Sequence, residues 1–376
     1  MTLTDFQTRT TQIISARWII PVEPRDIVLE HHSIVMTNGR IAAILLTTNA
    51  HQRYPDAPET KLAHHVLIPG MINLHTHAAM TMMRGLADDT PLMAWLQDHI
   101  WPAETKHLSE QYVFDGTELA TAEMIRSGTT CFADMYFYHD VAARAALKSG
   151  MRAALGGAIL EFPTPYAADA EGYLARGIAT REAFLAEPRL KLMLAPHAPY
   201  TVSDKTFQRI MTIGSEMDVP VMMHIHETAT EITDSEKQYG MRPIERLNQL
   251  GLLNPSLIAV HCVHLNQAEI ELFARTGVHV AHCPVSNLKL ASGIAPVKAM
   301  LDAGVNVGVG TDGTASNNRL DMLTETRLAS LLQKGISGDA SALPAHQALA
   351  MATLNAAKAL GWDDEIGSLV PGKAAD

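Results

Sequence analysis

From Met71 to Gly310 the chain alternates short apolar runs with stretches of helical periodicity. The runs are Met71–Leu74, Thr129–Asp134, Arg152–Leu160, Leu190–Ala195, Val221–His224, Leu257–His261, His279–Cys283 and Asn306–Gly310. Amphipathic spacing fills the gaps, clearest over Glu110–Arg126, Asp204–Glu216 and Gln267–Arg275. Fully apolar strands separated by helices are the pattern of βα units feeding a parallel sheet, because helices must cover both of its faces. Eight units over roughly 240 residues predict an α/β fold of the (β/α)8 type, whose usual span is about 250 residues. Two further helices are expected over Leu320–Leu332 and Ala345–Ala359.

The chain ends read differently. Ile13–Val22 has strand character, and Ser33–Thr37 and Ile41–Leu46 flank Asn38-Gly39, a strong hairpin signal. Gly367–Asp376 reads as one more strand and turn. The expected division is residues 1–67 as the first part of a small β-sandwich, 68–360 as the barrel, and 361–376 as the start of the sandwich's C-terminal part, cut short at Asp376.

Composition narrows the function. A formal net charge of −11 argues against a nucleic-acid backbone as partner, although not against a small nucleoside. Cys131, Cys262 and Cys283 have no framework spacing and read as free thiols of a reducing compartment. Met1–Gln12 is polar and no apolar run is long enough to span a bilayer, so a cytoplasmic protein without membrane contact is expected.

Barrels of this type carry their chemistry at the C-terminal strand ends. Strand one runs into Leu74-His75-Thr76-His77, whose two imidazoles share a face at i and i+2. Further strand ends carry His197, His224, His261 and His282, and the eighth ends in Gly310-Thr311-Asp312-Gly313. Three imidazoles and a carboxylate make a mononuclear zinc site open to water, with iron as the alternative metal. The expected ligands are His75, His77, His224 and Asp312. His261 and the second oxygen of Asp312 are expected to orient the attacking hydroxide. Glu227, three residues past His224, suits a proton shuttle. His226 and His264 read as structural, and His282 has no assigned role. A bridging lysine for a second metal would stand at the end of strand four, where His197 stands instead; Lys191 is at the other rim, so one metal per subunit is expected.

These residues lie in longer strings: PGMINLHTHAAMTMMRGLADD (69–89), Trp95-Leu96, Trp101-Pro102-Ala103-Glu104, GTTCFADMYF (128–137), APHAPYT (195–201), AVHCVHL (259–265), CPVSNLKLASGIAP (283–296) and GTDGTASNN (310–318). Across essentially the whole chain they resemble the amidohydrolase superfamily, and within it the 5′-methylthioadenosine/S-adenosylhomocysteine deaminases. The resemblance implies a barrel with a flanking β-sandwich from both chain ends, zinc, a homodimer or homotetramer, and hydrolytic deamination at C6 of an adenine nucleoside. It implies the same four ligands, with Glu227 as acid/base and His261 orienting the hydroxide. It also implies His197 and Trp95 as substrate contacts and Glu104 as acceptor of the ribose diol.

The chain departs from this pattern at Gly157. Relatives that accept S-adenosylhomocysteine resemble each other in an arginine at the matching place, which would pair with the amino-acid carboxylate. An unpaired carboxylate predicts a preference of roughly tenfold to several hundredfold for 5′-methylthioadenosine, with adenosine a secondary substrate. Another arginine, such as Arg176 in the following loop, could take its place. Competing readings are a guanine or cytosine deaminase, an s-triazine hydrolase, and a metal-free relative or nucleoside-binding protein without turnover.

Overall fold

The computed structural model describes residues 11–376. They fall into two compact units, one formed by residues up to 70 together with 361–376, the other by 71–360.

The first unit is built on one five-stranded sheet: β1 (Thr11–Ile19), β2 (Leu29–Glu30), β3 (His32–Thr37), β4 (Arg40–Leu46) and β5 (Glu59–Leu67). β3 and β4 pair antiparallel across Asn38 and Gly39, whose φ values of 53° and 73° are the left-handed pair that a two-residue hairpin turn needs. Neighbouring residues of one strand point to opposite faces. Val35 therefore joins Ile13, Ala43 and Ala50 on one face, while Ile34 joins Ala16, Ile19 and Ile41 on the other. The second cluster is covered by Leu369 and Ala375. The C-terminal segment thus serves the sheet as a cover. It forms no strand of its own, contrary to expectation, and contributes a single antiparallel bridge between Ala374 and Arg40. A turn at Pro371 and Gly372 followed by a bend at Lys373 keeps it from extending.

The second unit is the barrel, eight parallel strands in sequence order. They are β6 (Met71–Thr76), β7 (Thr129–Tyr136), β8 (Arg152–Ile159), β9 (Leu190–Pro196), β10 (Val221–Ile225), β11 (Leu257–His261), β12 (His279–His282) and β13 (Asn306–Val309). β13 returns to β6 through a few bonds in place of a full ladder. Asp312 N–H donates to the His75 carbonyl at 2.9 Å. Asn73 receives the Thr311 N–H at 2.9 Å and gives its own amide to the Thr311 hydroxyl at 2.7 Å. This closure draws two strand ends together, and with them His75 and Asp312.

The helix expected over Ala345–Ala359 is two helices, Ala345–Met351 and Leu354–Ala359. Thr353 breaks it at φ −138° and ψ −93°. The Ala352 carbonyl there accepts the Ile72 N–H of β6 at 2.8 Å, a tertiary bond that no helical periodicity announces. Among the described residues no helix is long and apolar enough to cross a membrane.

Candidate metal centre and active site

His75 is the penultimate residue of β6 and His77 follows the strand, their ring centroids 4.9 Å apart. His224 comes from β10 and His261 from the end of β11. Asp312 follows β13 at φ +64°, a left-handed conformation uncommon outside glycine. His261 and His226 share that strain at φ +71° and +53°. Clustering of such backbone at one strand-end rim marks a site held by its surroundings.

Hydrogen bonds fix which ring nitrogens face inward. His77 Nδ1 donates to the Met135 carbonyl at 2.6 Å, and His224 Nδ1 donates to the His197 carbonyl at 2.7 Å. Each Nε2 is left to face the centre. His224 Nε2 stands 3.3 Å from His75 Nε2. Asp312 Oδ1 lies 3.5 Å from His75 Nε2 and 3.2 Å from His77 Nε2. Burial holds His75 uncharged, its pKa lowered to about 4, and burial with crowding by other imidazoles pushes His224 well below its usual range. Burial works against a charged His77 as well, but the Asp312 carboxylate outweighs it and raises the ring to about 9. Asp312 is correspondingly held well below the usual carboxylate range despite its burial. Two neutral imidazole nitrogens facing each other beside a fixed anion need a cation, either a proton or a metal ion. His75, His77 and Asp312 place their donor atoms within 4.8 Å of one another, as do His75, His224 and His261. The donor set fits one divalent metal.

The other oxygen of Asp312 departs from expectation. Oδ2 accepts the hydroxyls of Ser286 at 2.6 Å and Ser316 at 2.8 Å, so its lone pairs are already engaged. His261 is oriented by Asn287, whose Oδ1 sits 2.8 Å from Nδ1, and its Nε2 lies 3.8 Å from Glu227 Oε2. Burial raises the Glu227 carboxyl.

A cavity of about 310 Å³ opens from this cluster, at the small end of the roughly 300–1,000 Å³ typical of ligand pockets. His77, His197, His224, Glu227, His261 and Asp312 form its polar end. Trp95, Trp101, Phe137, Leu160 and Phe162 are on its apolar walls, with Trp101 and Phe162 edge to face at 5.8 Å. Glu104 lies in the wall, buried, and accepts the Tyr136 hydroxyl at 2.7 Å. Burial raises its pKa to about 7. Tyr136 escaped the sequence reading although it ends β7, the position where such residues are to be sought. His197 lines the cavity with its pKa lowered by burial to about 3, and buried Trp95 Nε1 has no hydrogen-bond partner.

The remaining histidines lie off the cavity. His226 Nε2 accepts the Ile244 N–H at 3.3 Å, and His264 Nε2 lies 2.8 Å from the Ser292 carbonyl. His282 is buried with neither ring nitrogen hydrogen-bonded. Lys191 donates to the Leu360 carbonyl at 2.7 Å, on the opposite rim.

Gly157 does not face the cavity. A Cβ there would stand 2.6 Å from the His139 ring, whereas Ala158 and Leu160 are the cavity-lining residues of this segment. Arg176 is not a substitute cation: its guanidinium lies over the Tyr166 ring, 4.6 Å from the centroid, and it does not line the cavity. No lysine or arginine is among the lining residues.

Residues 66–376 match the family model described as Amidohydrolase family. This chain is an amidohydrolase. Among curated relatives it is 47% identical over 364 residues to the 5-methylthioadenosine/S-adenosylhomocysteine deaminase of Saccharophagus degradans, covering 97% of this chain and 82% of that one. It is 45% identical over 311 residues to the 5′-deoxyadenosine deaminase of Methanothermobacter thermautotrophicus, covering 83% and 72%. The crystal structure of an adenosine deaminase from Xanthomonas campestris with bound zinc superposes with a TM-score of 0.96 at 48% identity, over 97% of this chain and 83% of that one. The amidohydrolase described here belongs with the methylthioadenosine/S-adenosylhomocysteine deaminases.

Proposed function

We propose that this enzyme hydrolyses the 6-amino group of adenine nucleosides with an apolar 5′ group, 5′-methylthioadenosine foremost, giving the inosine analogue and ammonia. The observation that carries the reading is the cavity itself. One end holds the imidazole–carboxylate cluster, Glu104 stands in the wall, and among the described residues no lysine or arginine lines it. A zinc ion held by His75, His77, His224 and Asp312 supplies Lewis acidity and lowers the pKa of water towards neutrality; iron suits the same donors.

The chain's own groups do the rest. Glu227 takes a proton from the attacking water and delivers it to the ring nitrogen next to C6, a task that suits a carboxyl raised by burial. His261, held by Asn287, turns Nε2 towards the same space and orients the water. With Asp312 Oδ2 engaged by two serines, that orientation falls to His261 and Glu227. Glu104 accepts the two ribose hydroxyls, since a carboxylate with two oxygens suits a cis-diol. Trp95 and His197 complete the substrate contacts in the cavity wall. The apolar walls take the methylthio group, and an amino-acid carboxylate at that place would find no lysine or arginine among the lining residues. A free base or triazine brings no diol for Glu104, which argues against those readings.

Three buried cysteines with no disulfide among the described residues suit a reducing compartment, in keeping with a cytoplasmic enzyme. We expect a homodimer or homotetramer, to be read by light scattering. Ammonia release from 5′-methylthioadenosine, S-adenosylhomocysteine, adenosine, guanine and cytosine tests the function. Turnover of the nucleosides and none of the bases supports it; turnover of bases alone overturns it.

A further inference from the structure

Glu227 reaches the cavity against the ordinary alternation of a strand. His224 faces the site, so continued extension would turn residue 226 inward and 227 outward. Here both His224 and Glu227 line the cavity, and His226 is buried away from it. The reversal is made at His226, whose φ of +53° is left-handed. A β-carbon in that conformation is strained, so something must hold it.

The holding group is Glu231. It sits in the first turn of the helix Ala229–Tyr239, capped by the Thr228 hydroxyl. At this place in a helix a glutamate usually reaches back to the N–H of the cap residue. Glu269 does so in the helix Gln267–Thr276, completing a capping box with Asn266. Glu231 reaches further. Its Oε1 accepts the His226 N–H at 3.0 Å and its Oε2 accepts the Glu227 N–H at 2.9 Å. The carbonyl of His226 is tied as well: it receives the N–H groups of Val263 at 3.0 Å and His264 at 3.1 Å. The carboxylate is buried and spans the two peptides that decide where Glu227 points.

We infer that Glu231 is a positioning residue for the proton transfer: it clamps the 226–227 backbone in the left-handed turn that aims Glu227 into the cavity. The inference rests on Glu227 being the acid/base group of the proposed function. A displacement of about 1 Å at a reacting group costs on the order of 100-fold in rate, which is the loss expected when both bonds go. Glu231→Gln keeps one acceptor oxygen and turns an amide donor towards the other N–H, so a loss of roughly tenfold is expected.

The test compares zinc-loaded wild type, Glu231→Ala, Glu231→Gln and Glu227→Ala with 5′-methylthioadenosine, recording kcat, KM, zinc content, thermal midpoint and a crystal structure of each variant. The expected result is a graded fall in kcat at unchanged KM and zinc content, with the Glu227 carboxylate displaced in crystals of Glu231→Ala. Unchanged kcat in Glu231→Ala, an undisplaced Glu227, or a fall in kcat that follows loss of zinc and thermal midpoint each overturns the clamp. Failure of the underlying reading shows elsewhere, as no turnover by wild type or an undiminished rate in Glu227→Ala.

Discussion

Glu104 combines two opposed demands at one position. Burial raises its pKa to about 7 from 4.5, yet the ribose diol is best read by the charged form. KM for 5′-methylthioadenosine is therefore expected to rise as pH falls through about 7, measured against a kcat set by other groups. Stability runs the other way. The folded state holds this proton where the unfolded chain has lost it, so this group's contribution declines as pH climbs from 4.5 to about 7. Glu104→Gln, which keeps the shape but not the charge, is expected to lower kcat/KM for nucleosides by about tenfold to a hundredfold. Steady-state kinetics of that variant measure it, and an unchanged kcat/KM would remove Glu104 from substrate recognition. Residues of this kind were legible to different degrees. The proposed ligands stood out because they lie at strand ends, where the fold puts chemistry. Tyr136, Asn287, Ser286 and Ser316 did not, because each acts through a tertiary hydrogen bond to another site residue. The direction of Gly157 was equally hidden, since it depends on His139 arriving from a different element.

At the scale of elements, the eight strands follow from their unbroken apolar runs, and each observed strand overlaps its expected one. What periodicity could not show is how the first and last strands meet. Gly310 allows that approach: a Cβ there would stand 2.6 Å from the His75 backbone nitrogen and 2.9 Å from the His75 Cβ. Backbone cannot yield as a flexible side chain does. Gly310→Ala is expected to lose about 1–3 kcal/mol of stability and to displace His75, lowering zinc content along with the thermal midpoint. Calorimetry with metal analysis reads both, and a variant with wild-type midpoint and zinc would contradict this account of the closure. The break between Ala345–Met351 and Leu354–Ala359 has the same origin, a carbonyl claimed by β6. Helical spacing carries no trace of such a bond.

For the whole molecule, the barrel gathers five titratable groups into one cluster, with His75, His224, His261 and Asp312 buried and His77 half-buried. Neutral imidazoles around a buried anion call for a cation, a proton on His77 or a metal ion, so metal binding and folding are coupled. Chelation is expected to abolish activity and lower the thermal midpoint, and zinc to restore both. Binding at a thousand times the dissociation constant contributes about 4 kcal/mol. A midpoint indifferent to chelator would contradict the coupling. The same architecture sets the substrate: the walls around Trp101 and Phe162 are apolar, and Arg176, a cation candidate from sequence, is turned onto Tyr166. The most direct measurement is kcat/KM of the zinc-loaded enzyme for 5′-methylthioadenosine and for S-adenosylhomocysteine under one set of conditions. The first is expected to exceed the second by roughly tenfold to several hundredfold. Equal values would contradict a lining without lysine or arginine as the source of selectivity, and no turnover of either would contradict the deaminase itself.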